Sequence, residues 1–253
     1  MNFRSEAPNT EIESPEKKVE IFHKYLESAS DEQFLLCLEK NRERAEAIGY
    51  GKNAVVYAVE DEIIGHLCVK EINEFPEIKY NDPDVEFEFQ DDLNKSGVKT
   101  PYTIAQLKDE KGKAYIIMER IHGNSIGDII NKQMSLPAGF NLNTFSIQLT
   151  EQIQKMHELG ILHRDLHKGN IMIDESGKPV VIDFGLATHN SASSDDAYLG
   201  EAQMLNKSNG RYMPTKGLFM DDDKQVKLLK AELRSYIVEG INKGVFTISD
   251  NLI

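Results

Sequence analysis

Cysteine is nearly missing from this chain: Cys37 and Cys68 are the two among 253 residues. So few cannot build a disulfide framework, and Cys68, set in an apolar run, reads as a buried thiol. Both suit a reducing compartment. Long apolar runs are missing as well. The most apolar stretches, Tyr115–Met118 and Val180–Ile182, are strand-sized, so no membrane span is expected. The opening Met-Asn-Phe-Arg-Ser-Glu lacks the apolar core of a secretory signal peptide, which leads to the expectation of a cytoplasmic start. Positive charge is in deficit, with 29 Lys and Arg against 42 Asp and Glu and a net charge of −13. Non-specific affinity for nucleic acid comes mainly from cations that neutralise phosphates, so no nucleic-acid partner is expected. A basic protein partner fits that charge better. No internal repeat or low-complexity tract is present.

What remains is ordinary globular material. A hydrophobic fraction of 40% and a charged fraction of 28% give enough apolar side chains for a core. The length suits one domain of two lobes. Residues 1–14 are polar and without periodicity, and read as a disordered tail. Ser14-Pro15-Glu16 is an N-cap, a first-turn Pro and a first-turn acid, followed by Val19, Phe22 and Leu26 at helical spacing. Ser30-Asp31-Glu32-Gln33 caps a second helix, with Phe34, Leu35 and Leu38 on its apolar face, ending near Ala47. Residues 15–47 thus form a helical extension. From Ile48 the period shortens to β-branched runs at Ala54–Val59, Ile63–Lys70, Thr103–Leu107 and Ala114–Glu119, a small antiparallel sheet. Asp84–Lys95 reads as a helix inserted between its second and third runs. Beyond Gly123 the pattern turns helical, over Ser125–Lys132 and Asn143–Leu159.

The densest chemistry lies at residues 163–170, His-Arg-Asp-Leu-His-Lys-Gly-Asn, with Asp183-Phe184-Gly185 thirteen positions further on. Two oxygen-bearing side chains, Asn170 and Asp183, suit a hard cation such as magnesium, which takes one or two protein ligands and keeps waters and phosphate oxygens. Asp165 is then the group that orients a hydroxyl and accepts its proton. Singly, each has a bland alternative as a turn, cap or strand-end residue. Together these residues resemble the protein-kinase signature, H-R-D-L-x-x-x-N followed by D-F-G.

That resemblance assigns further roles. Gly49-Tyr50-Gly51-Lys52-Asn53-Ala54-Val55-Val56-Tyr57 is similar to the kinase glycine-rich loop, with Ala54 at the usual third glycine. It implies that Gly49, Gly51 and Val56 cover a nucleotide, although a Gly-x-Gly turn alone is more often a plain hairpin. Lys70, at the end of His66-Leu67-Cys68-Val69-Lys70, matches the strand lysine that holds the α- and β-phosphates. Its expected carboxylate partner is Glu86, which has Phe89 and Leu93 at helical spacing, whereas Glu88 lacks such neighbours and faces water. Tyr115–Ile121 resembles the last strand of the small lobe and the hinge. Met118 is then the gatekeeper, and the backbone of Glu119 and Ile121 meets the adenine edge. His163 packs beneath the loop. Lys168 stands three residues after Asp165, where Ser/Thr kinases commonly carry Lys two after it. His167 takes that place, and Lys168 is assigned to offset charge on the phosphoryl group in flight.

The match also has gaps. Only 68 residues follow Gly185, and the Ala-Pro-Glu triplet is absent. Asn209–Thr215 resembles the end of an activation segment faintly. Among Asp221-Asp222-Asp223, one acid stands in for the buried Asp that supports the catalytic loop, or the run is a solvated helix start; both readings stay open. Thr188, Ser191, Ser193 and Ser194 are acceptors that Arg164 could answer once phosphorylated, or simply part of a mobile loop. Compact kinases of this outline resemble secreted effector kinases of enteric bacteria and minimal atypical kinases. The expectation is an α+β, bilobal protein-kinase-like fold with an N-lobe over 48–121 and a truncated C-terminal lobe over 122–253. The implied function is ATP- and Mg2+-dependent transfer to Ser or Thr, autophosphorylation included, on an unknown protein substrate. As an effector it would be secreted into a host cell without a classical signal and would meet a host protein partner. The alternatives are a small-molecule kinase and a kinase-fold binding module with weak or partner-dependent activity.

Overall fold

Alternation of apolar side chains drives the first half of the chain into a five-stranded sheet. The structure, a computed structural model, describes residues 17, 19, 20, 22, 24, 47–51, 54–61, 65–72, 82–189 and 222–246. Strands β1 (Ala47–Tyr50), β2 (Ala54–Asp61), β3 (Gly65–Ile72), β4 (Thr103–Lys108) and β5 (Ala114–Glu119) run antiparallel in the order β1-β2-β3-β5-β4. Successive side chains in a strand point to opposite faces. Leu67, Val69, Tyr115 and Ile117 therefore share one face, on which Phe22 is fully buried. Cys68, Ile72, Ile116 and Met118 share the other, and Lys70 lies among them. The sequence predicts four of these strands. The fifth, β1, begins at Ala47, where a helix was expected to end. Ala47 pairs with Tyr57 across a register shift, so ladder pairing along β2 outweighs alanine's helix preference.

Burial of Phe22, worth about 1.5–3 kcal/mol for a fully covered side chain, ties the helical residues 17, 19, 20, 22 and 24 to the outer sheet face. The tail over 1–14, the second helix from Ser30, Cys37, the segment Asn209–Thr215, and Ser191, Ser193 and Ser194 lie outside the described residues.

Helix α1 (Pro83–Lys95) opens on an Asp82 cap that accepts the Asp84 N–H, with Pro83 in its first turn. It starts one residue earlier than the spacing predicts. Glu86, Phe89, Gln90 and Leu93 are its buried residues, so a charge and an amide share the apolar face. The second half holds β6 (Gly123–Ser125), α2 (Ile126–Lys132), α3 (Leu142–Glu158), β7 (Ile161–Leu162), β8 (Ile171–Asp174), β9 (Pro179–Val181), β10 (Thr188–His189) and α4 (Asp222–Asn242). Ser125 caps α2 and Asn141 caps α3 through their side-chain oxygens. Phe145, Leu149, Ile153 and Met156 of α3 pack with Leu229, Leu233 and Ile237 of α4, and the same core takes in Phe89 and Leu93 of α1. That continuity fixes α1 from below, and with it Glu86. The architecture is an α+β, bilobal protein-kinase-like fold. Among the described residues no helix is long and apolar enough to cross a membrane.

Candidate active site

Lys70 sits in β3 opposite Val56 on one side and Ile116 on the other, so its side chain leaves the inner sheet face. Its ammonium is 2.5 Å from Glu86 Oε1 and 2.7 Å from Asp183 Oδ1, a single cation spanning the sheet, α1 and the segment after β9. Burial alone would push the Lys70 pKa down, but Asp183 and Glu86 outweigh it and hold the ammonium above its ordinary value. Asp183 is held low, first by Lys70. Burial pushes Glu86 up despite the same lysine. Glu88 is exposed, so the geometry separates the two acids as the helical spacing suggests.

Around this cation lie the residues expected to meet a nucleotide. Gly49 pairs with Val56, and the Gly51 N–H donates to the Ala54 carbonyl at 2.8 Å, closing the β1–β2 hairpin. Val56 neighbours Lys70 across the β2–β3 ladder. Met118 is buried on the same sheet face, where the Gln90 amide donates to its sulfur at 3.7 Å and to the Pro101 carbonyl at 2.7 Å. Glu119 ends β5, its N–H donating to the Tyr102 carbonyl, and Ile121 follows half-buried. Cys68 stays a buried thiol, its pKa pushed up to about 11 by burial.

The loop between β7 and β8 carries Asp165. Its backbone is held by Asp222 at the head of α4: Oδ2 accepts the His163 N–H and Oδ1 accepts the Arg164 N–H, each at 2.8 Å. His157 Nε2 lies 3.1 Å from Oδ2. Burial alone would raise the Asp222 pKa, but the His157 ring and these two N–H groups bring it below the ordinary value. Of the three acids at 221–223, Asp222 is thus the buried support. Arg164 and Asp183 both adopt left-handed backbone, at φ 68° and 66°. Such strain costs on the order of 1–3 kcal/mol per residue and persists only where surroundings over-determine it. The two hydrogen bonds from Asp222 supply that at Arg164.

His163 is fully buried against Phe184, with ring centroids 4.9 Å apart, beneath the loop as expected. Its Nε2–H donates to the Ile182 carbonyl at 3.1 Å, while Nδ1 accepts the Asp165 N–H at 3.3 Å. Burial holds its pKa below the ordinary range, in keeping with this neutral tautomer. The Asn170 amide donates to the Asp165 carbonyl at 2.9 Å and to Asp165 Oδ2 at 3.1 Å. Burial raises the Asp165 pKa above that of an ordinary aspartate. The Ile182 N–H donates to the Asn170 carbonyl, and the β8–β9 ladder continues from there, so Asn170 and Asp183 are drawn toward one place.

Those two side chains fit a magnesium ion. With its amide nitrogen engaged at Asp165, buried Asn170 keeps its oxygen as an acceptor, and Asp183 is an exposed carboxylate held ionised by Lys70. Among the described residues no group of three His, Cys, Asp or Glu could hold a metal, so a cation between Asn170 and Asp183 would take its remaining ligands from water and phosphate oxygens. Lys168 is placed elsewhere: its ammonium is 3.5 Å from Glu232 on α4, and no hydrogen bond or ion pair joins it to Asp165, Asn170 or Asp183 among the described residues. His167 stands at Asp165 instead, its Nε2 3.7 Å from Oδ2. Sequence reasoning did not anticipate Gln90 or His157. A polar residue four after Glu86 on the buried helix face was the available signal for the first; nothing in local spacing marks the second.

Known proteins resemble this chain in sequence. Residues 42–214 match the protein kinase domain. The chain is 28% identical over 179 residues to the probable serine/threonine-protein kinase PknB of Corynebacterium glutamicum, covering 66% of this chain and 27% of that protein. It is 26% identical over 156 residues to the CTD kinase subunit alpha of Schizosaccharomyces pombe, covering 62% and 26%. It is 34% identical over 144 residues to sperm motility kinase 3A of Mus musculus, covering 56% and 28%. The matched segments span about a quarter of the length of these relatives.

Proposed function

The chain belongs to the protein kinase domain family, and from that premise we propose that it transfers a phosphoryl group from ATP to a Ser or Thr hydroxyl of a protein. The relatives named as serine/threonine kinases favour that acceptor class. The observation that carries the reading is Lys70 held between Glu86 and Asp183 at 2.5 and 2.7 Å. A surface lysine has no reason to be buried there with two carboxylates.

Bound ATP with magnesium supplies the electrophilic phosphorus and neutralises charge on the phosphate oxygens. The chain's residues position and screen. Gly49 and Gly51 bring backbone close to phosphates, and Val56 covers the base beside the Glu119–Ile121 backbone. Lys70, fixed by Glu86, orients the phosphate chain. Asn170 and Asp183 offer oxygen ligands. Asp165 receives the hydroxyl proton, and its raised pKa brings it nearer to that task than an ordinary carboxylate. Autophosphorylation and action on host proteins as a bacterial effector are finer parts of this reading.

His167 at the usual lysine position also suits a small-molecule acceptor, the second reading. Purified chain incubated with labelled ATP, casein and a panel of sugars, aminoglycosides and cholines separates the two. Asp165→Ala and Lys70→Ala are each expected to lower transfer by roughly a hundredfold or more. Transfer that persists at the wild-type rate in either variant would overturn the assignment.

A further inference from the structure

Asp165 Oδ2 accepts one hydrogen bond and has a second nitrogen just beyond hydrogen-bond reach, on a ring with no assigned work. Asn170 holds that oxygen at 3.1 Å, and His167 Nε2 stands 3.7 Å from it. The His167 ring is not free to choose its tautomer. Its Nδ1 accepts the Gly169 N–H at 2.9 Å, so a neutral ring carries its proton on Nε2, the nitrogen that faces Asp165. Gly169 also makes the space for the ring: a Cβ there would lie 2.8 Å from His167 Cε1 and 3.0 Å from Nδ1. Its backbone is not in the left-handed region, so the glycine answers to the ring and not to a turn. Backbone bonds from the His167 N–H to the Asp165 carbonyl and from the Asn170 N–H to the His167 carbonyl, both 2.9 Å, lock the three residues as one turn. Lys168 leaves that turn in the opposite sense, its carbonyl accepting the Gly127 N–H and its ammonium meeting Glu232.

We propose that His167, rather than Lys168, is the positioning residue beside Asp165: a neutral imidazole, oriented by Gly169, whose Nε2–H steadies Oδ2 and leaves Oδ1 open to the acceptor hydroxyl. This rests on the phosphotransfer reading above. The imidazole does not touch the reacting atoms. It acts by limiting rotation of the carboxylate, which otherwise turns about its last torsion with little resistance.

Two measurements on the full chain test it. The first needs no turnover: nitrogen NMR of 15N-histidine-labelled protein, free of nucleotide and at a pH well above the ordinary histidine range. It should give an unprotonated Nδ1 and a protonated Nε2 for the signal that disappears in His167→Gln. The Gly169→Ala protein, in which the ring is displaced, should show a tautomer mixture. The second is steady-state transfer from ATP to casein. His167→Ala should lower kcat roughly ten- to a hundredfold with KM for ATP moving less than about threefold, as for a misplaced group of about 1 Å. His167→Gln, which offers an amide N–H at comparable reach, should recover most of the loss, and His167→Asn should not. If His167→Ala melts early, Gly169→Ala, which keeps the imidazole but displaces it, carries the comparison. Equal kcat in wild type, His167→Ala and Gly169→Ala, or an Nδ1–H tautomer in wild type, overturns the proposal. A wild type that transfers to no acceptor overturns the phosphotransfer reading itself, which the tautomer measurement leaves distinguishable.

Discussion

Glu86 and Asp222 are both buried carboxylates on helices beside the site, yet they are held in opposite ways. Asp222 has every oxygen engaged, by two backbone N–H groups and a histidine ring, and its pKa lies below the ordinary value. Glu86 engages Oε1 with Lys70 and has the Phe184 backbone N–H beside it, but among the described residues its buried Oε2 makes no close hydrogen bond, and burial puts its pKa above the ordinary value. A carboxylate with saturated hydrogen bonds is a static support. One held chiefly by an ion pair, to a lysine that Asp183 also claims, gives precision without much net stability, because burying an ion pair costs about as much desolvation as the attraction returns. The helical half thus anchors the catalytic loop through saturated hydrogen bonds, and the sheet half presents Lys70 through an ion pair that adds little net stability.

Removing the anchor should have the larger effect. Asp222→Ala leaves the His163 and Arg164 N–H groups without their acceptor. At about 1–3 kcal/mol for each buried orphan, the chain should lose about 2–6 kcal/mol, read as a fall in the urea midpoint. Asp222→Asn should also destabilise, since its amide nitrogen faces donors. An unchanged midpoint in both would mean that the left-handed turn at Arg164 holds itself, and the contrast with Glu86 would fail. Glu86→Gln should behave the other way. Burial opposes the Glu86 charge and Asp183 stays beside Lys70, so stability should fall less than in Asp222→Ala, while transfer from ATP falls roughly tenfold to a hundredfold as Lys70 loses its fixed position. Stability lost in Glu86→Gln to the extent seen in Asp222→Ala would erase the distinction.

The sequence carried one of these two residues clearly and the other ambiguously. Glu86 could be chosen over Glu88 because Phe89 and Leu93 mark the buried face of a regular helix. Lys70, Asp165, Asn170 and Asp183 stood out by order and spacing along the chain. Asp222 is joined to its partners across 59 and 58 residues, and three consecutive acids heading a helix look alike until the loop they face is folded. Ala47 read as helix because its propensity is local, whereas its pairing with Tyr57 is not. Lys168 and His167 are adjacent on a turn, and which of them faces Asp165 depends on the hydrogen bonds of Gly169 and Gly127. No periodicity encodes a turn's direction.

The smallest expected effect concerns pH and separates the two halves once more. His163 is fully buried with its pKa below the ordinary 6.5, chiefly through burial. When the pH falls through that ordinary value, the unfolded chain takes up a proton that the native ring refuses, so stability present above it is lost on acidification. Asp222, also depressed, acts in the same direction but only below its ordinary 3.8. Glu86 is raised above its ordinary 4.5, so its contribution is full below that value and is lost as pH rises through its folded value. Between about pH 7.5 and about pH 5.5, therefore, His163 lowers stability on acidification by no more than about 1.36 kcal/mol per pH unit for one proton, while the raised Glu86 and Asp165 act in the opposite direction. The change in melting temperature on acidification across that window should be more negative for the wild type than for His163→Gln, whatever packing the substitution sacrifices at the upper end. Identical slopes would place the acid sensitivity in other groups and leave the neutral His163 between Asp165 and Ile182 without energetic consequence.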